Sequence, residues 1–236
     1  MNCQEIIEQL YELSSEKYKV NVVKMGIPES CSIGVSSHDL KKLARKIGKS
    51  NCLADELWNT EYHEAKLLAV FIYDYHIMTY QKIESLIFTV DSWDLCNFLC
   101  KNLIIKVKGY ENFISHWVKS EKTYVKRAGF VLIGSHIIYD SNISEKTMIN
   151  YLSYIIEYSN DSRIYVKKAI VYALKEIGKK DFYYNEKAIL VSYELIQSSN
   201  KDQQWVGRNA LKELENLVAA KGRTRLISRK SKMGKE

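Results

Sequence analysis

Val166, Ala169, Ile170, Ala173, Leu174 and Ile177 recur at i, i+3, i+4, i+7, i+8 and i+11. That spacing gives one continuous apolar stripe and predicts an amphipathic helix whose inner face is core. Lys168, Tyr172, Lys175 and Lys179 fall at i, i+4, i+7 and i+11 on the opposite side, so the solvent face is expected to present three cations around one aromatic. Leu95, Phe98, Leu99 and Leu103 predict another helix, opened by Ser92 or Asp91 as its N-cap. Trp93 and Asn97 stand one turn apart on that helix and off its apolar stripe. Further helices are expected around residues 79–89 and 145–158, and the stretch from Gly26 to Ser37 (GIPESCSIGVSS) reads as a loop ending at a cap, Ser36 or Ser37.

The pattern also repeats on a longer scale. Tyr124-Val125-Lys126-Arg127-Ala128 returns as Tyr165-Val166-Lys167-Lys168-Ala169 and, more weakly, as Trp205-Val206-Gly207-Arg208-Asn209, at offsets of 41 and 40 residues. Upstream, Tyr62-His63-Glu64-Ala65-Lys66-Leu67-Leu68 is similar to the same element. This is the period of HEAT-type helical pairs, in which each unit leaves an apolar face that only its neighbours can cover. The expected fold is therefore all-α: one curved α-solenoid of HEAT-like helical repeats spanning 1–220, with no linker to divide it. Superposing the copies puts Arg127, Lys168 and Arg208 at one repeat position, a row of cations suited to a phosphate chain and also to an acidic protein.

Composition narrows the classes further. One proline and ten glycines leave too few turns for an all-β sandwich or barrel, and 46% hydrophobic with 27% charged residues describes an ordinary globular chain. No apolar run reaches about 18 residues, and the N-terminus lacks a basic region followed by an apolar stretch, so no membrane partner is expected and the default location is cytoplasmic. The formal net charge of +7 is misleading. Lys221, Arg223, Arg225, Arg229, Lys230, Lys232 and Lys235 crowd the segment 221–236, which is expected to be a flexible basic tail, and the body without it is nearly neutral. Cys3, Cys31, Cys52, Cys96 and Cys100 show no CxxC spacing, and His63, His76, His116 and His136 form no HExxH pattern. Neither a metal nor another cofactor is expected.

The run VDSWDLCN, followed by YVKRAGFVL and YVKKAIVYALKEIGK, with WNTEYHEAKLLA upstream and GVSSHDLKKLARKIGK nearer the N-terminus, strongly resembles the AlkD-like family of DNA alkylation-repair glycosylases. The resemblance runs from about residue 20 to residue 217 with the motifs in order. It implies a HEAT-like solenoid whose basic concave face holds double-stranded DNA, and an activity that releases N3- or N7-alkylated purines without flipping the base into a pocket; the chain is expected to act as a monomer.

Carried over residue by residue, the resemblance keeps the WD-motif tryptophan as Trp93 and the cleft arginine as Arg127. Asn97 stands where the family has an aspartate, and Tyr172 where it has a second tryptophan. Lys175 matches a basic residue one turn further on, and Lys168, Lys179 and Arg208, taken from the polar stripe and the repeat row, complete the expected DNA-binding set. Asp94, three residues before Asn97, is the candidate compensating carboxylate. Three functions are open at this stage: a glycosylase acting on cationic alkylpurines, a non-catalytic relative that recognises damaged or branched DNA, and a protein-binding HEAT scaffold.

Overall fold

The computed structural model describes residues 1–235. The chain packs into two compact units, Met1–Tyr110 and a second from Glu111 onward. The first unit holds α1 (Cys3–Glu12), α2 (Glu16–Lys24), α3 (Ser37–Ile47), α4 (Asn51–Trp58), α5 (His63–Ile72), α6 (Tyr80–Phe88) and α7 (Trp93–Asn102). The second holds α8 (Glu111–Trp117), α9 (Thr123–Tyr139), α10 (Glu145–Tyr158), α11 (Ile164–Gly178), α12 (Phe182–Gln197) and α13 (Lys201–Leu214), followed by the antiparallel pair β1 (Leu217–Val218) and β2 (Ile227–Ser228). The fold is all-α and built of HEAT-like helical repeats. No helix among the described residues is long and apolar enough to cross a membrane.

In the first unit α5 packs against α3, α4 and α7. Local signals set the helix ends: the Ser36 hydroxyl accepts from Asp39 N at 3.1 Å to start α3, Gly48 at φ 80° follows its last turn, and the Ser92 hydroxyl accepts from Leu95 N at 3.2 Å to start α7. The loop before α3 is fixed from a distance. Glu64, fully buried in α5, accepts from Ile33 N at 2.9 Å and Gly34 N at 2.7 Å, so a carboxylate substitutes for the hydrogen bonds this irregular backbone cannot make to itself.

In the second unit α9, α11 and α13 lie side by side, with α8 packed on α9 and α12 on both α11 and α13. All six stripe residues of α11 are fully buried. Helix α9 is enclosed on every side, for each residue from Val125 to Ile137 is buried, and its charges must therefore be neutralised inside the protein. Lys126 pairs with Asp161 at 3.0 Å, and the same pairing recurs one repeat later between Lys167 and Asp202 at 2.6 Å. Each ammonium also sits over an aromatic ring, Tyr158 at 5.0 Å and Trp205 at 5.3 Å. The repeat thus carries an ion pair as well as an apolar face.

Most cations of the basic C-terminal segment are exposed, but its middle is anchored. Leu226 is buried and its N–H donates to the Lys179 carbonyl at 2.8 Å, Arg225 donates to the Glu176 carboxylate at 2.8 Å, and Arg229 N donates to the Asn216 carbonyl at 2.7 Å. Counting its cations conceals Leu226, whose burial, with these bonds, lays the segment against the end of α11.

Candidate nucleic-acid interface

On α7 the first turn presents Trp93, whose indole N–H donates to the Met25 carbonyl at 3.1 Å. One turn later comes Asn97; both side chains are half-buried, and the helix period puts them on one face. Their hydrophobic neighbours Leu95, Cys96, Leu99 and Cys100 turn into the core, which explains why the two stand off the apolar stripe. Asp94 is engaged elsewhere: its Oδ2 lies 3.1 Å from Nε2 of the buried His63, the first residue of α5. Asp91, ahead of the helix, lies 3.8 Å from the Lys66 ammonium. Neither carboxylate of this segment is uncommitted. The His63 contact joins residues 31 apart in sequence and had no signature in spacing.

The five cations of the second unit singled out in the sequence divide into three groups. Lys168 and Arg208 are exposed, on α11 and α13, and Arg208 donates to Gln204 of its own helix at 2.9 Å. Arg127, at the equivalent position of α9, is buried, and its guanidinium donates to the Tyr165 carbonyl at 2.5 Å. A row of three solvent-facing cations was expected; the enclosure of α9 leaves two. Lys175 and Lys179 form the third group. Lys175 pairs with Glu213 of α13, and Lys179 lies 2.6 Å from Glu213 and 3.2 Å from Glu176.

With Arg225 on Glu176, three cations against two carboxylates leave this cluster a single net positive charge. Burial alone would lower the Lys179 ammonium, but Glu213 and Glu176 outweigh it and hold it above its ordinary value. Burial alone would raise the Glu213 carboxyl, yet Lys175 and Lys179 hold it low. Glu176, Glu213 and Arg225 were missed in the sequence because nothing in a single helix period shows what its polar face will touch.

Tyr172 differs most from expectation. Its ring lies so close to Gly134 of α9 that a Cβ there would strike it, and burial, then the neighbouring Glu176, pushes its phenol up to about 12. It is a packing residue between α9 and α11 and not part of a free solvent face. Leu174→Ala, at a fully buried position, is expected to cost about 2–5 kcal/mol, and Tyr172→Ala about 1–3 kcal/mol through the same kind of void. Tyr172→Phe should stay within about 1 kcal/mol of the natural protein. Urea melts check this, and an unshifted midpoint for Tyr172→Ala would show that the ring carries no packing.

Helical pairs of this kind define a HEAT-like repeat protein. The chain matches the family of DNA alkylation repair enzymes over residues 6–214, and it belongs to that family. Among solved structures it is similar to one described as a new family of proteins related to the HEAT-like repeat DNA glycosylases with affinity for branched DNA structures, at 19% identity, 88% of this chain, 93% of that one and a TM-score of 0.76. AlkD2 from Streptococcus mutans is 19% identical over 89% of this chain and 98% of its own, with a TM-score of 0.59. Smu.31 from Streptococcus mutans UA159 is 21% identical over 74% and 91%, with a TM-score of 0.53. No curated protein matches.

Proposed function

We propose that this family member is a DNA-binding repair protein that engages distorted or branched DNA and releases alkylated purines weakly or not at all. The observation that carries this reading is the state of the carboxylates around α7. Loss of a cationic alkylpurine needs no protonation of the leaving base, but positive charge builds on the deoxyribose as the N-glycosidic bond breaks, and a carboxylate beside the sugar stabilises it and orients the attacking water. Asn97 keeps the shape and a carbonyl without the charge. Asp94 contacts His63 at 3.1 Å, and the largely exposed Asp91 lies 3.8 Å from Lys66, so neither is placed one turn beyond Trp93 as Asn97 is.

Lys168 and Arg208, exposed and free of carboxylate partners, supply the phosphate contacts, and the structural likeness to a relative with affinity for branched DNA supports the choice of substrate. The scaffold alternative gives no reason for two unpaired cations to recur at one repeat position.

Two assays on the natural protein test the proposal: fluorescence anisotropy on a blunt duplex and a four-way junction, and release of 7-methylguanine from methylated DNA. Tighter binding to the junction with no release above the spontaneous rate is expected; efficient release, or no binding to either DNA, overturns it. Lys168→Gln with Arg208→Gln should weaken duplex binding and reduce the slope of log K against log salt by about two, since each lost phosphate contact removes about 0.9. An unchanged slope would take both residues off the DNA.

A further inference from the structure

The basic motif of α3 has no part in that reading, yet in the first unit it builds a second site. Lys41 and Arg45 of α3, Lys49 just after Gly48, and Lys106 beyond α7 line an open cavity of about 510 Å³ together with Phe71 and Asn102. No aspartate or glutamate lines it, and among the described residues none forms an ion pair with any of the four cations. Aromatic rings lie between them: Lys41 is 5.8 Å from the centroid of Phe71, and Lys49 and Lys106 are each 5.9 Å from that of Tyr75.

Four like charges brought together with no carboxylate among them in the cavity lining repel one another. Burial and then the nearby Lys106 push the Lys49 ammonium below its ordinary value, with Asp74 offsetting only part of this. The cluster on α11 and α13 shows the contrast, because there every ammonium meets a carboxylate. A convergence of unpaired cations suits a ligand that brings several negative charges at once. The cavity's volume suits a nucleotide-sized group and not a duplex, and cations tracking a backbone with aromatic rings among them are how single strands are held.

We propose that this cavity binds the phosphodiester backbone of a single DNA strand, such as one freed at a branch point. The proposal rests on the DNA-binding reading above and deepens it by giving branched DNA a contact that an intact duplex does not use. Lys41, Arg45 and Lys106 meet the phosphates, while Lys49 has a structural share in the site: its ammonium donates to the carbonyls of Phe71 at 2.9 Å and Tyr73 at 2.8 Å and so caps the end of α5.

The test uses the full chain and a triple variant, Lys41→Gln, Arg45→Gln and Lys106→Gln, with Lys49 kept so that α5 stays capped. Anisotropy titrations are run on a fork with one oligothymidine arm, on oligothymidine alone and on the blunt duplex of the same stem, with pyrophosphate titrated as a competitor. The variant should melt with the natural protein, because the three side chains are exposed. It should bind the fork and oligothymidine about tenfold or more weakly, with a salt slope lower by about two at roughly 0.7 per contact, and bind the blunt duplex unchanged.

Equal loss on the blunt duplex overturns the strand preference. Unchanged binding of the fork overturns the site while leaving DNA binding itself intact. Pyrophosphate competing with the strand at equal affinity in the natural protein would assign the cavity to a small phosphorylated molecule instead. A natural protein that binds no DNA sinks the functional reading, and this inference with it.

Discussion

Asn97→Asp is expected to raise the release of 3-methyladenine and 7-methylguanine from methylated DNA by about a hundredfold to a thousandfold. The new carboxylate would stand on α7, one turn beyond Trp93 and half-buried, where a purine's sugar would develop its positive charge. At about 4 Å and an effective dielectric near 20, a full charge is worth on the order of 4 kcal/mol, which is roughly a thousandfold in rate. DNA affinity should change little or fall modestly, since a carboxylate near the backbone also repels phosphates. Base release from the same methylated DNA measures both proteins side by side. If the natural protein already excises efficiently, and Asp94→Asn abolishes this without shifting the melt, then Asp94 supplies the charge in spite of its bond to His63. If neither protein excises while both bind DNA, the missing piece is larger than one carboxylate.

Asp161→Ala is expected to destabilise the protein by about 3–5 kcal/mol, because it leaves the ammonium of Lys126 buried without its partner. The two side chains are only 5% and 8% exposed, and Asp161 is further gripped by Arg163, whose Nε and Nη2 donate to its two oxygens at 2.9 and 2.5 Å. The repeat offers an internal control. Asp202, the equivalent residue one repeat on, pairs with Lys167 at 28% and 12% exposure, so Asp202→Ala should cost about 1 kcal/mol or less. Urea denaturation of both variants at neutral pH measures the difference, and equal midpoint shifts would refute a special role for burial.

The same carboxyl makes stability depend on acid. Burial would raise it, but Arg163 and Lys126 outweigh burial and hold it at about 2. Its folded value lies below the unfolded one of about 3.9, so on acidification the unfolded chain takes the proton first. The contribution, roughly 2 kcal/mol, is complete above the unfolded value and is lost as pH falls towards about 2. Asp161→Asn should remove that part of the acid sensitivity.

Much of the fold was legible in the sequence because local periodicity fixes which way a helix faces. The six-residue stripe of α11 is fully buried as its spacing requires, and Ser92, one of two candidate caps, holds the start of α7. The 41-residue offset puts Lys126 and Lys167 at one repeat position, but their partners Asp161 and Asp202 came to light only in the packed helices. The sites were less legible. Tyr172 reads as a surface aromatic from its own helix and lies against Gly134 of another.

By itself, then, the sequence determined the all-α repeat class, the family, and the inner face of each strongly periodic helix. Only the tertiary structure decided which cations remain exposed. Arg127, Lys168 and Arg208 share one repeat position, yet Arg127 is buried while the other two stay in solvent, because α9 is enclosed on all sides. Lys175 and Lys179 meet Glu213 some 34 to 38 residues away, whereas Lys41, Arg45, Lys49 and Lys106 meet one another without any carboxylate lining their cavity. A helical period specifies direction from one axis only. The sign of the charge that comes to face a side chain is set by which helices stack beside it, and that depends on the packing of residues a whole repeat away.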